Sequence, residues 1–275
     1  MSGRFAGKTA IVTGASKGIG RAIALALGSE GAQVVVNYLS SGAAAEEVVK
    51  QIGSDRAIAV KADVSDIAGG KTLVAQTVQR FGKIDILVLN AGSLLQNGSL
   101  ADLTEDAYDR LFRTNVKGPL FLVKVSFEIH TPSLPTFHFY RVDTYKKKQE
   151  AESHIPSGGR ILFFSSSLTA LSAITPNYLL YAATKGAVEQ ATRTLAKDLG
   201  RRGITVNTIS PGPIGTDAFY EGKTEQLLKT ISSWNPAGRI GKPEEVANAV
   251  LFVASSESSW MNGQNFRING GMTVG

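Results

Sequence analysis

The sequence predicts one α/β domain, a doubly wound parallel sheet with helices on both faces, and three observations carry that expectation. Short continuous apolar runs alternate with longer stretches of helical periodicity. Such runs are what strands buried on both faces look like, since neither side of the sheet meets water. A glycine cluster, Gly14-Ala-Ser-Lys-Gly18-Ile-Gly20, stands between the first run and the first periodic stretch. Finally, 275 residues that are 43% hydrophobic and 19% charged suit one large core covering residues 1–275, with no second full domain.

Composition removes several function classes. With no cysteine there is no disulfide, no thiol catalysis and no cysteine metal site. The start Met1-Ser2-Gly3-Arg4-Phe5 lacks the apolar run of a signal peptide, and the longest apolar runs are strand-length, so neither secretion nor a membrane span is expected. A cytoplasmic protein fits these features. The net charge of +6 is mild, without a basic stripe interleaved with aromatics, so no nucleic-acid partner is expected.

Taken in order, Lys8 to Thr13 forms the first strand, and Ile23, Leu25, Leu27 and flanking alanines form a buried helix behind the glycines. Strand, glycine turn and helix let a backbone pass close to a pyrophosphate, whose charge meets free amides at the helix N-terminus. Gly14, Ser16, Lys17, Gly18, Ile19 and Gly20 are therefore candidate cofactor contacts. The second strand, Gln33 to Asn37, ends without the acid that would bond a ribose 2′-hydroxyl and repel a 2′-phosphate. Asn37 stands there, Tyr38, Ser40 and Ser41 follow, no acid appears before Glu46, and Lys17 lies in the glycine loop. NADP(H) is favoured over NAD(H).

A third strand, Ala57 to Ala62, ends at Asp63-Val64, and a helix from about Ile67 to Phe81 turns Leu73, Val74 and Val78 inward. The strand Ile84 to Leu89 stops at Asn90-Ala91-Gly92, where small residues let a ligand approach the backbone. Strand Arg160 to Phe164 leads into Ser165-Ser166-Ser167. Tyr181 and Lys185 open a helix reaching Leu199, and four-residue spacing puts phenol and amine on one face. A lysine cation beside a tyrosine favours the phenolate and lowers its pKa. Strand Ile204 to Ile209 precedes the rigid turn Ser210-Pro-Gly-Pro-Ile-Gly-Thr216, whose Pro211, Gly212, Ile214 and Thr216 are candidate cofactor contacts. Lys242-Pro243-Glu-Glu opens a further helix, and a strand near Gln264 to Ile268 completes the sheet.

Together, Thr13-Gly14-Ala-Ser-Lys-Gly18-Ile-Gly20, Asn90-Ala-Gly92, Asn115 and Tyr181-Ala-Ala-Thr-Lys185 resemble the short-chain dehydrogenase/reductase family over nearly the whole chain. The resemblance implies a Rossmann-like, seven-stranded sheet of order 3-2-1-4-5-6-7 and a homo-oligomer, dimer or tetramer. It implies a substrate lid at about 216–235, where Phe219, Tyr220 and Trp234 suit an apolar or ring-bearing ligand as well as they suit core packing. It also implies roles: Tyr181 as general acid in carbonyl reduction, Ser166 bonding the substrate oxygen, Lys185 lowering the tyrosine pKa and holding the nicotinamide ribose, Asn115 anchoring a water. The interval from Ser166 to Tyr181 is slightly longer than the family's usual spacing, which leaves Ser165 and Ser167 as rivals. The implied activity is NADP(H)-dependent reduction of a small-molecule ketone or oxidation of the matching alcohol. A catalytically idle nucleotide-binding protein is the rival class, and the four intact residues argue against it. A hydrolase is disfavoured by the lack of a Gly-x-Ser-x-Gly elbow.

One segment departs from the family. Where a brief link is usual, Val125 to Gln149 brings prolines, aromatics and Lys146-Lys147-Lys148 without strand or helix periodicity. His130 and His138 within it lack a carboxylate framework for a metal. Val125-Ser126 can be encoded by GTGAGT, a splice-donor sequence, and Gln149 by CAG, an acceptor ending. Deleting the segment joins Lys124 to Glu150 and restores an uninterrupted family pattern, so a retained intron is expected. The alternatives are a partner-binding loop and a tolerated surface insertion.

Overall fold

The computed structural model describes residues 3–95, 99–128 and 153–274. Seven parallel strands form one sheet: β1 (Thr9–Val12), β2 (Gln33–Tyr38), β3 (Ala57–Lys61), β4 (Ile86–Leu89), β5 (Arg160–Phe164), β6 (Thr205–Pro211) and β7 (Asn265–Ile268). Their order is β3-β2-β1-β4-β5-β6-β7, as the family resemblance implies. The helices are α1 (Gly18–Ser29), α2 (Gly42–Ile52), α3 (Ile67–Phe81), α4 (Glu105–Phe112), α5 (Gly118–Val125), α6 (Leu179–Gly200), α7 (Asp217–Tyr220), α8 (Glu225–Ser232) and α9 (Pro243–Ala254).

Side chains of a strand alternate between faces, and the core divides accordingly. Ala10, Val12, Val34 and Val36 pack with Ile23 and Leu27 of α1, Val48 of α2 and Val246 and Val250 of α9. Ile11 and Val35 point the other way, toward Leu73 of α3, Leu122 of α5 and Val188 and Leu199 of α6. The crossover at β1, whose neighbours are β2 and β4, opens the crevice at the carboxyl edge where ligands bind in such sheets.

The amino edge is held by charge and carbonyl chemistry. Ile84 and Asp85 lie ahead of β4 rather than in it. The Ile84 amide donates to the His154 carbonyl at 2.8 Å, while the buried Asp85 carboxylate accepts from Lys8, Lys83 and the Thr9 amide. At the start of β5 the buried Arg160 guanidinium donates to the carbonyls of Ser255, Gly158 and Gly159, tying the strand to the end of α9.

The expected irregular segment begins as the end of a helix. Val125 closes α5 and is buried, the Ser126 hydroxyl donates to the Leu122 carbonyl at 2.8 Å, and Glu128 pairs with Lys71 and Lys124. Its remainder, with His130 and His138, lies outside the described residues. The chain leaves at Glu128 and is described again from Ser153, and Glu128 and His154 line one cavity of about 170 Å³ beside α3. Both ends are thus at the amino edge, opposite the glycine loop.

Candidate active site

Glycines at the carboxyl edge leave room that a side chain would close. Gly14 (φ 62°) and Gly18 (φ 55°) occupy the left-handed region. A Cβ on Gly20 would lie 2.3 Å from the Gly14 carbonyl oxygen, so the first turn of α1 can pack there only as glycine. Asn90 donates to the carbonyls of Thr13 and Gly14, and the Ala91 amide donates to the Thr13 hydroxyl, which ties the end of β4 to the loop. Thr216 closes the far side: a Cβ on Gly18 would lie 3.1 Å from its methyl, while its hydroxyl caps α7 by accepting from the Phe219 amide. A dinucleotide fits this cradle, because bare backbone and the N-terminus of α1, with Lys17 exposed beside it, are what a pyrophosphate needs.

Next to the cradle, α6 presents Tyr181 and Lys185 from successive turns. The Ser166 hydroxyl lies close enough to the Tyr181 phenol to lower its pKa, and it accepts from the Leu168 amide at 3.2 Å. Ser165 and Ser167 are engaged elsewhere, Ser165 with Glu189 and Ser167 with the Ser210 carbonyl, so of the three serines Ser166 meets the tyrosine. Lys185 is buried and its Nζ donates to the Phe164 carbonyl at 2.8 Å, 5.4 Å from the Tyr181 ring centre. Asn115 sits in a wide π-turn, Arg113–Lys117, between α4 and α5. Such a turn is common at functional sites because its extra residue turns a side chain off the regular helix face. The Asn115 side chain clasps the Ser93 backbone, accepting from its amide and donating to its carbonyl, and also donates to the Thr184 hydroxyl. A Cβ on Gly92 would stand 3.3 Å from Asn115 Oδ1 and 3.5 Å from Lys185 Nζ, so glycine keeps open the space these groups face.

A family model described as "short chain dehydrogenase" matches residues 8–129, and one described as "Enoyl-(Acyl carrier protein) reductase" matches residues 144–273. Versicolorin reductase 1 of Aspergillus parasiticus is 38% identical over 282 residues, covering 98% of this chain and 97% of that protein. The chain belongs to the short-chain dehydrogenase/reductase family. Trihydroxynaphthalene reductase PfmaI of Pestalotiopsis fici is 35% identical, covering 98% of this chain and 90% of its own. Among solved structures, the angucycline C-6 ketoreductase LanV with bound NADP superposes with a TM-score of 0.83 at 33% identity, covering 100% of this chain and 99% of that one. A Burkholderia cenocepacia short-chain dehydrogenase in complex with NADP gives 0.82 at 35%, covering 98% and 99%. The two family matches leave residues 130–143 unmatched between them, inside the segment that departs from the family pattern.

One expectation about this short-chain dehydrogenase/reductase needs correction. The Tyr181 pKa is pushed up, to about 12, first by burial beside the cluster of Ala107, Leu111 and Leu180, with the Ser166 hydroxyl pulling the other way. Lys185 does not reverse this, because burial lowers its own pKa to about 8 and Nζ turns to the Phe164 carbonyl. Asn37 is buried, accepts from the Gly14 amide and donates to the carbonyls of Val60 and Ala62. It shapes the glycine loop from behind. Asp63 caps its own turn by accepting from the Ser65 amide, and the Val64 carbonyl packs so close to Gly118 that a Cβ there would lie 2.4 Å away. The Gly212 amide donates to the Ile268 carbonyl and Ile214 bridges Gly241, so Pro211, Gly212 and Ile214 form a braced turn at the cleft floor. Sequence reasoning missed Ser93 and Thr184, which hold the Asn115 side chain, and Glu189, which holds Ser165 and Thr169. Thr184 stands inside the Tyr-x-x-x-Lys motif, which was a signal available to it.

Proposed function

We propose that the chain is an NADP(H)-dependent reductase of an aromatic, polyketide-type ketone, oxidising the matching secondary alcohol in reverse. The observation that carries this reading is the placement of Ser166 beside Tyr181, one helical turn from Lys185, whose amine and Asn115 face the notch at Gly92. NADPH, when bound, supplies the hydride. As the carbonyl oxygen gains negative charge, Tyr181 gives it a proton and the Ser166 hydroxyl donates to it, interactions stronger in the transition state than in the ground state. A phenol held protonated by burial is the right form for a general acid. Lys185 carries charge beside Tyr181, and Asn115 fixes the wall of the cleft and is suited to anchoring a water there. Preference for NADP(H) rests on exposed Lys17 and on the absence of an acid from Asn37 to Ser41. The aromatic substrate rests on Phe219, Tyr220 and Trp234 within the lid region 216–235, of which Tyr220 and Trp234 are exposed, and on the versicolorin and trihydroxynaphthalene that name the relatives.

The test is NADPH oxidation by purified protein against hydroxylated aromatic ketones, 3-oxoacyl thioesters and sugars, with Tyr181→Phe as control. Aromatic ketones are expected to turn over, and Tyr181→Phe to lose about 10²–10⁴-fold in kcat while binding NADPH as before. Near-normal turnover by Tyr181→Phe refutes the assignment, and tight NADPH binding with no turnover on any panel member favours the idle alternative. A cytoplasmic homo-oligomer, disturbed by the segment 125–149, is part of this reading. So is a retained intron encoding residues 125–149, supported by the paired exit and re-entry of the chain at one cavity on the amino edge.

A further inference from the structure

Glu189 lies one turn beyond Lys185 on the face of α6 that carries Tyr181 and Lys185, and its half-buried carboxylate reaches the serine loop. A single oxygen, Oε1, accepts from the Ser165 hydroxyl at 2.6 Å and from the Thr169 hydroxyl at 2.7 Å. Each hydroxyl has a weaker alternative acceptor, the Lys185 carbonyl at 3.3 Å for Ser165 and the Ser166 carbonyl at 2.9 Å for Thr169. One hydroxyl proton serves one acceptor at a time, and the closer, charged oxygen takes it. Ser165 and Thr169 bracket Ser166, so one carboxylate oxygen pins both sides of the loop that presents the Ser166 hydroxyl to Tyr181.

We propose that Glu189 is a positioning residue which, through Ser165 and Thr169, sets the place of the Ser166 hydroxyl relative to the Tyr181 phenol. The inference rests on the reductase reading above. A charged residue on a helix ordinarily faces solvent; here it is the tie between the strand-end loop and the catalytic helix, a second clasp beside the one Lys185 makes to the Phe164 carbonyl. Because both bonds fall on one oxygen, an amide oxygen with two lone pairs can accept both. Geometry rather than charge is therefore what the site requires of this residue, and Glu189→Gln distinguishes the two.

The experiment compares wild type, Glu189→Ala and Glu189→Gln on a ketone that the wild type reduces, each also in a Ser166→Ala background. Glu189→Ala is expected to lower kcat by about 10- to 100-fold, the range that a misplacement near 1 Å produces, with NADPH affinity within about twofold. Glu189→Gln recovers most of the loss. In the Ser166→Ala background the effect of Glu189→Ala shrinks to within about threefold, since the group it positions is gone. An equal loss in both backgrounds, or none in either, overturns the proposal. Hydrogen exchange over residues 165–170 needs no substrate: faster exchange in Glu189→Ala with wild-type rates in Glu189→Gln is expected, and unchanged exchange in both refutes the tie. If the wild type reduces no ketone, the reductase reading fails while the exchange measurement still decides whether Glu189 holds the loop.

Discussion

An ammonium prefers water, and Lys185 is held away from it, which is why its pKa falls to about 8. The sign of the consequence follows from proton counts. Between about 8 and 10.5 the unfolded chain binds more protons at this position than the folded one, so stability rises with pH across that window. The penalty is complete below about 8 and is relieved toward 10.5. It is on the order of 3 kcal/mol, against about 1.5–3 kcal/mol for the charge-assisted hydrogen bond to Phe164 that would be lost on substitution. Lys185→Met should therefore match or exceed wild type in stability at pH 7 and lose ground to it toward pH 9.5 in urea unfolding, while turnover falls sharply. A pH-independent difference would rule out the buried charge as its cause. The pairing of Tyr181 with Lys185 was legible in the sequence because four-residue spacing on a helix dictates a shared face. The direction of the tyrosine's pKa was not, since it depends on burial by Ala107 and Leu111, which lie some seventy residues away in the chain. Glu189 was invisible for a related reason: its partners lie across a loop, and a lone glutamate on a helix reads as solvated.

At the scale of elements, α3 and β5 matched their sequence-based bounds because uninterrupted apolar spacing and flanking breakers agreed there. β4 started later than expected because Ile84 and Asp85, though in an apolar run, serve the amino edge by bonding His154, Lys8 and Lys83. The π-turn at Arg113–Lys117 left no periodic signature, since one extra residue hardly disturbs the spacing. Arg160 is a further instance of long-range chemistry hidden in a strand. Its guanidinium is buried, burial lowers its pKa, and its donors go to carbonyls of Ser255, Gly158 and Gly159. Arg160→Met removes the donors and leaves acceptors unmet at the edge of the sheet. A loss of about 2–4 kcal/mol is expected in urea unfolding. Because Arg160 begins β5 whereas Ser166 follows its far end, kcat of the folded variant should stay within about twofold of wild type. A large fall in kcat without a loss of stability would mean that the staple acts on the site.

For the whole molecule, the question is what the segment 125–149 does to an otherwise standard sheet. Deletion joins Lys124 to Glu150, and two stability effects oppose each other. Shortening a loop recovers closure entropy slowly, about 0.6 kcal/mol per halving. Against that, the buried Val125 is exchanged for Glu150, and covering a valine contributes about 1.5–3 kcal/mol. The terms are of similar size, so the melting temperature should move only a few degrees and does not discriminate. Turnover should not move either, within about twofold, because Glu128 and His154 flank the amino edge while Ser166, Tyr181 and Lys185 gather at the other. A deletion that abolished turnover would show that the segment supports the site after all. Assembly is where the two forms should differ, since α5 runs directly into the segment, and in the homo-oligomer proposed above that helix would meet the partner subunit. Light scattering on the two chains is expected to give a dimer or tetramer for the deleted form and a smaller species for the full-length one. Identical masses would place the segment clear of any interface, and cDNA reads that mostly retain it would end the intron reading.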